Sequence, residues 1–555
     1  MRKTAPVCCL ILVMILSAAG ASAASGARGQ FQELWTHSAP HSAVVYWRMK
    51  SIADQAFSCV EYGPTAQYGL KTQTTTDPRW AHLHRIVGLK PGVKIHYRPV
   101  LISKGGKILG PPGTLTTPSI EGWTPIPGRL AGPPYVIDKA GKYLLTEDIA
   151  APGSAITIAA ADVVLDLDGR TVRFGTKAGK QAAGIQIRAK GSVIVRNGVM
   201  VQGDRSADYS AAVESRWRAF PRDIYAMTVT VHRPNGYPVK FLGGSSGVKV
   251  HHNLLTSRVA KIESRHYPGN DLIRVDLDKS DDSACRIYDN ILTGGCHRGI
   301  TVTGESSGSK ISGNDIRHRA MYVNGYAINL HAPGIEAYGN RITSTGRGMH
   351  LTRPKLIVRD NHLDLQGRPT LDDTPAKSPF RKIMVELHGI KLEGAKVSGA
   401  KIHRNFVRIR QLAPTGGVRY VPATPLNVAC YDPAAMNEIY DNDIVALTYC
   451  RSERIGGYGD SGQWASAIHL VGMTRRKAPR GKYSAYIHNN RFATNHLFVS
   501  ASSPVTQTVR IEKNSFVLVK VPATVPTKTR LRKLGPLKRL VEAGGNIWGR
   551  SATRR

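Results

Sequence analysis

"GRGMHLTRPKLIVRDN", from Gly346 to Asn361, holds two short apolar runs separated by a basic, proline-containing kink. The first run alternates, with polar His350 between Met349 and Leu351. The second reaches Val358, passes two residues and arrives at Asn361. The same phrase recurs along the chain: a small or branched apolar residue, two residues, asparagine, any residue, an apolar residue. Its asparagines are Asn197, Asn253, Asn290, Asn314, Asn340, Asn361, Asn405, Asn442, Asn490 and Asn514. The clearest spacings are 21 to 26 residues. One such match carries no information, but ten in phase, on strand-like runs without helical periodicity, signal a solenoid. Three short strands per turn, with alternate side chains stacked inside, describe a right-handed parallel β-helix. Its tight corner needs a left-handed backbone, which asparagine tolerates. Corner asparagines are expected to pair amide to amide, turn on turn.

The chain has 555 residues and a formal net charge of +37. That length predicts more than one domain. That charge draws polyanions: nucleic acid, anionic membranes or acidic polysaccharides. The start, "MRKTAPVCCLILVMILSAAGASAASG", selects among them. Arg2 and Lys3 precede an apolar run and then small residues, the pattern of a secretory signal peptide over 1–23, cut after Ala23. The apolar run is short for a membrane span, and no second long one follows. The expected protein is secreted, periplasmic or on the cell surface, with an acidic polysaccharide as partner and neither a specific nucleic acid nor a transmembrane span. Five cysteines remain: Cys59, Cys285, Cys296, Cys430 and Cys450. Cys285 with Cys296, and Cys430 with Cys450, are candidate bridges. Free buried thiols are the equal alternative, and no zinc spacing is present.

Residues 30–117 alternate in short strand-like runs, such as "SAVVYWRM", "FSCVEYG" and "KIHYRPVLIS". "GLKPGVKIHYRPVLI", with Leu89, Pro91, Gly92 and Tyr97, resembles the fibronectin type III pattern. The stretch is also similar to the sandwich that precedes the catalytic domain of purple acid phosphatases. The metal motifs of those enzymes are absent downstream, so their activity is not implied. A Pro/Gly-rich linker is expected over 118–133. The β-helix is expected over 134–520. Its opening, "YVIDKAGKYLLTEDIAAPGSAITIAAADVVLDLDGRTVRFG", resembles the first coils of pectate-lyase-like proteins. The resemblance implies the scaffold and leaves the chemistry open, because lyases, hydrolases, epimerases and tailspikes share it. Residues 521–555 are basic and read as a cap or a solvated tail. The fold class is therefore all-β: a small fibronectin-like sandwich followed by the solenoid.

Aligning "GITVTG", "AINLHA", "GMHLTR", "MVELHG" and "AIHLVG" places the pairs Ile300/Val302, Ile328/Leu330, Met349/Leu351, Val385/Leu387 and Ile468/Leu470 inward. Strand alternation turns Thr301, Asn329, His350, Glu386 and His469 outward. One step on lie Thr303, His331, Thr352, His388 and Val471. Gly299, Ala327, Gly348 and Ala467 would floor a shallow groove, with Arg298, Arg347 and Arg353 at its flanks. His350, His388, His331, Glu386 and Arg347 are the catalytic candidates. Arg298, Arg353, Asn329, His469, Lys261 and Arg265 are the candidates for binding substrate.

Elimination from a uronate needs a neutralised carboxylate, a base for the C5 proton and an acid for the leaving oxygen. Basic and imidazole side chains along a groove suit it. The lyases that share this scaffold often use calcium, which leaves that cofactor open; no ligand set is carried over. By ligand type His331, His350, Glu386 and His388 suit a metal, but spacing alone does not make them converge, and no metal site is assigned. Hydrolysis needs two carboxyl groups. Asp276, Asp278, Asp281 and Asp282 ahead of "GCHRGITV" resemble the polygalacturonase order, but Arg298 stands where that pattern has glycine, and its downstream Arg-Ile-Lys is missing. The leading expectation is cleavage of a uronate polysaccharide by elimination. A glycoside hydrolase and a non-catalytic polyanion-binding protein are the alternatives.

Overall fold

The computed structural model describes residues 29–550 except 178, 180, 217–220, 234, 260–269, 280–283, 322–324, 368–386, 395, 412–422, 431–434, 449–465, 471–483, 496, 502–508 and 520–544. The expected signal peptide and most of the basic C-terminal stretch lie outside the described residues. No helix occurs among the described residues, so none is long and apolar enough to cross a membrane.

Apolar residues at alternate positions put strand after strand into three long parallel sheets of 13, 14 and 14 strands. The chain visits them in a fixed cycle. One turn runs Glu336–Tyr338 in the second sheet, Arg341–Ser344 in the third and Arg347–Leu351 in the first, which we call the broad sheet. Ile357–Arg359 then pairs in register with Glu336–Tyr338 to begin the next turn. The interior is one continuous stack of Ile, Val and Leu from Ile126 to Phe516. The architecture is a parallel β-helix. It begins earlier than expected, because Thr124–Ile126, inside the anticipated linker, pairs with Tyr143–Leu145. It also ends later, because Ile547–Arg550 pairs with Ser515–Leu518.

The corner between the second and third sheets holds the asparagines, in an arrangement that corrects one expectation. The left-handed residue is the one before each asparagine: Asp289, Asp360, Arg404, Asp441, Asn489 and Lys513 have φ of 52° to 55°. Gly313 and Gly339 take the same place in two turns. The asparagine itself turns inward. Asn314 Nδ2 donates to Asn340 Oδ1 at 2.9 Å, and the Asn314 backbone N–H donates to the same oxygen at 3.1 Å. Asn314 Nδ2 also reaches the carbonyl of Ile287 one turn back. The chain of amides runs unbroken from Asn253 through Asn290, Asn314, Asn340, Asn361, Asn405, Asn442, Asn490 and Asn514 to Asn546. Asn197 is not a member. It occupies the left-handed position itself, with φ 59°, one residue ahead of the ladder.

The first domain consists of two antiparallel sheets around Tyr46, Trp47, Val60 and Leu101. Its core runs on into the solenoid through Ala226 and Ile291. Half-buried Arg85 donates to Asn197 Oδ1 and to the carbonyls of Ala226 and Gly198. Trp35 stacks on His252 at 4.1 Å. Trp80 and Ala81 donate backbone N–H groups to Asp315. The sandwich thus packs over the asparagine corner, away from the broad sheet. Of the two readings of Cys285 and Cys296, free buried thiols hold. Both are free and buried in the solenoid core, Cys285 just before the strand Arg286–Tyr288 and Cys296 at the end of Ile291–Cys296. The Cys430–Cys450 pairing lies outside the described residues.

Asn340→Ala removes a donor pair and leaves the inward donors of Asn314 without an acceptor. The expected loss is about 3 kcal/mol, the sum of lost and orphaned hydrogen bonds. Equilibrium urea unfolding checks this, and an unchanged midpoint counts against the ladder as a stabilising element.

Candidate functional site

On the broad sheet, strand alternation sends His350 outward between inward Met349 and Leu351. Parallel register then selects its neighbours. His350 pairs with Asn329 on one side and with Lys391 on the other, and the row continues to Asn427 and His469. Thr301, Asn329, His350 and His469 therefore share a row as expected. The fourth turn was misaligned. Ile390 and Leu392, not Val385 and Leu387, pair with Met349 and Leu351. Lys391 takes the place assigned to Glu386, which lies outside the described residues, as do Lys261, Arg265, Val471, Asp281 and Asp282. Glu393, following Leu392, takes the place assigned to His388. The cause is local: "VELHG" and "IKLEG" carry the same apolar alternation. One signal separates them. In the turns of Ile300, Ile328 and Met349 the first inward residue stands 12 to 14 residues before its corner asparagine. Ile390 stands 15 before Asn405, and Val385 stands 20.

The register assembles a compact cluster. His350 Nε2 lies 2.8 Å from Glu393 Oε2, and Lys391 Nζ lies 2.8 Å from the same oxygen. His331 Nε2 lies 3.3 Å from His350 Nδ1. The Tyr326 ring stacks on the His350 ring at 4.5 Å, and the Arg347 guanidinium lies over the Tyr326 ring at 5.1 Å and donates to its hydroxyl. Arg353 bonds Glu305 and the carbonyl of His331. Lys391, Glu393 and Tyr326 were missed by sequence reading, the first two because of the slipped alignment and Tyr326 because it stands before the alternating pair.

The row expected to line a shallow groove is mostly buried. The side chains of His350 and Lys391 are 14% and 13% exposed, whereas Glu393 is 44% exposed. His388 is buried, and the cations Arg347 and Lys391 with His469 and His350 bear on it. Gly299 and Gly348 do not floor a groove. A Cβ on Gly348 would meet the Gly389 carbonyl and the Leu363 side chain, and one on Gly299 would meet the Ala327 carbonyl. Glycine here lets successive turns approach.

The electrostatics assign protons. The His350 hydrogen bond, with Lys391 nearby, pulls the Glu393 carboxyl down to about 2 against the opposing effect of burial. Glu393 is thus an acceptor only, and His350 Nε2–H donates to it. Burial lowers the His350 pKa below its usual value, with Glu393 resisting. The ring is therefore neutral, with its Nδ1 lone pair turned to His331. Burial, then His350, Arg298 and Arg353, lower His331 to about 3. Burial and Lys391 lower His469 to about 4. The cluster is a neutral imidazole backed by a carboxylate in a cationic field, an arrangement suited to accepting a proton. Among the described residues no three His, Cys, Asp or Glu side chains group as a metal site.

No protein-family model matches the chain, and no curated protein matches it. Among solved structures, the chain is similar to a family 28 exopolygalacturonase from Yersinia enterocolitica at 10% identity and a TM-score of 0.33, covering 87% of this chain and 98% of that one. A pectate lyase from Erwinia chrysanthemi in complex with tetragalacturonic acid shares 11% identity at a TM-score of 0.14, over 72% and 87% of the two chains. A pectate lyase from Pectobacterium carotovorum shares 8% at 0.15, over 72% and 89%. Superpositions this loose assign neither a residue nor an activity, because one scaffold hosts many chemistries.

His331 is held neutral in the fold but titrates near 6.5 when unfolded. As pH falls below about 6.5 the unfolded chain takes up this proton first, so stability drops on the way down towards the folded value. His331→Asn should therefore flatten the fall of Tm between about pH 6.5 and pH 4. Parallel wild-type and variant curves would count against a neutral, desolvated His331.

Proposed function

We propose that the protein cleaves an acidic, uronate-containing polysaccharide by β-elimination at the broad sheet. One observation carries this reading: Glu393 is bonded to both His350 and Lys391, so the cluster pairs a backed base with an adjacent ammonium. A uronate carboxylate is drawn to Arg347 and Arg353, whose charge stabilises the enolate that forms when the C5 proton leaves. The substrate displaces His331 from its 3.3 Å contact, and His350 Nδ1 takes the C5 proton. The electron pair forms the C4–C5 double bond, the C4–O4 bond breaks, and Lys391 supplies a proton to the departing oxygen. Glu393 holds the imidazole orientation and stabilises the imidazolium.

Hydrolysis is the weaker reading. It requires one carboxyl that is protonated while a second is ionised. Glu393, held near 2 by its hydrogen bond from His350, does not donate near neutrality. Export and a surface or periplasmic location belong to the same proposal, carried by the N-terminal sequence.

The test is a screen of alginate, pectate, chondroitin and heparin for ultraviolet absorbance of the unsaturated product. His350→Ala should lower kcat/KM by about a hundredfold or more, and Glu393→Gln by a smaller factor. Reducing ends released without that absorbance indicate hydrolysis. Salt-sensitive binding without either product indicates a binding protein.

A further inference from the structure

Three consecutive strands on the N-terminal side of His350 each carry a buried polar side chain without a hydrogen-bond partner. Both amide atoms of Asn329, the hydroxyl of Thr301 and both carboxylate oxygens of Asp271 are in this state. Asn329 and Thr301 are fully buried, and Asp271 is 1% exposed. Asn329 is the register neighbour of His350, and Thr301 is the register neighbour of Asn329. Asp271 stands one strand further, paired with Arg298. At about 4.8 Å per strand, the three reach roughly 14 Å from His350 along the solenoid axis. Thr301 lies close enough to Asp271 to lower its pKa, but the contact is not a well-formed hydrogen bond.

A folded chain rarely leaves five such atoms together, since each buried unpaired group costs about 1–3 kcal/mol. Their chemistry differs from that of the His350 cluster. Around His350 lie Lys391, Arg347 and Arg353, which suit a carboxylate. At Asn329 and Thr301 the groups are neutral and each can both donate and accept. Burial pushes the Asp271 carboxyl up to about 6, with Arg298 and Arg274 opposing, so it repels a second carboxylate or donates as an acid.

We propose that Asn329, Thr301 and Asp271 form a subsite for an uncharged sugar unit, adjacent to the uronate bound at His350. The inference rests on the proposed uronate site and deepens it. The substrate is then a heteropolymer in which a uronate is followed by a neutral sugar with hydroxyl or acetamido groups, not a uniform polyuronate. The Asn329 amide, with donor and acceptor both unpaired, complements an acetamido group or a pair of ring hydroxyls. Atoms this deep are reached only when the surrounding side chains part, so occupancy reorganises the site.

The experiment titrates hyaluronan oligosaccharides, which alternate glucuronate with N-acetylglucosamine, against oligogalacturonates of equal length. Calorimetry uses the full chain, and cleavage is read separately by absorbance. The wild type should bind the alternating chain about tenfold or more tightly, the worth of one or two hydrogen bonds. Asn329→Leu should erase that preference yet leave Tm unchanged or raised, because it replaces unpaired polar atoms with an apolar group. Thr301→Val, nearly isosteric, should reduce the preference in part. Equal affinity for the two chains, a preference that survives Asn329→Leu, or a lowered Tm in that variant overturns the subsite. A preference that follows Asn329 without cleavage of either chain overturns elimination and leaves the subsite standing.

Discussion

The amide ladder at the asparagine corner is the interaction on which the rest depends. Each Oδ1 receives two N–H groups from the turn before it, and each Nδ2 returns to a carbonyl of that turn. An aspartate would lack the donor, and a longer amide would not fit the one-strand repeat. The ladder offsets the left-handed residue before each asparagine, which costs about 1 kcal/mol wherever it is not glycine. It also sets the phase. Once each corner is pinned to the next, every strand between corners has its inward and outward faces decided, since a one-residue slip would turn its apolar set to solvent.

That phase brings the site together. His331, His350, Lys391 and Glu393 come from three successive passes of the chain through the broad sheet, each separated from the next by a strand in each of the other two sheets. The ladder stacks the passes, and the strand spacing delivers side chains within hydrogen-bonding reach. The sandwich packs against the opposite corner through Arg85, Trp35 and Trp80. It adds no side chain to the His350 cluster in these contacts. Burial holds its imidazoles neutral and Lys391 and Arg347 supply positive charge, while the strands beside it keep polar groups unpaired. Sites that bind or react often retain such locally unfavourable groups, which packing elsewhere must outweigh.

Much of this was legible before any coordinates. Nine of the ten asparagines, inward Ile, Val and Leu pairs, and an outward row through Thr301, Asn329, His350 and His469 all follow from periods of two residues and of one turn. The misreadings have physical causes. Asn197 satisfies the same phrase as Asn253, yet it sits one residue early, and only backbone dihedrals distinguish a left-handed residue from a ladder residue. Val385 and Ile390 both begin an apolar alternation, and only strand pairing chooses between them.

The sequence by itself determined the repeat, the all-β solenoid, the small sandwich ahead of it and the face on which His350 stands. These depend on local periodicity, which a single chain displays. Only the tertiary structure decided that His350 meets Glu393 and Lys391, that His388 is buried beside Arg347 and Lys391, and that Asn329, Thr301 and Asp271 lack partners. Those facts depend on which strand lies beside which, and on how deeply, because burial and pairing are properties of neighbours that are distant in sequence.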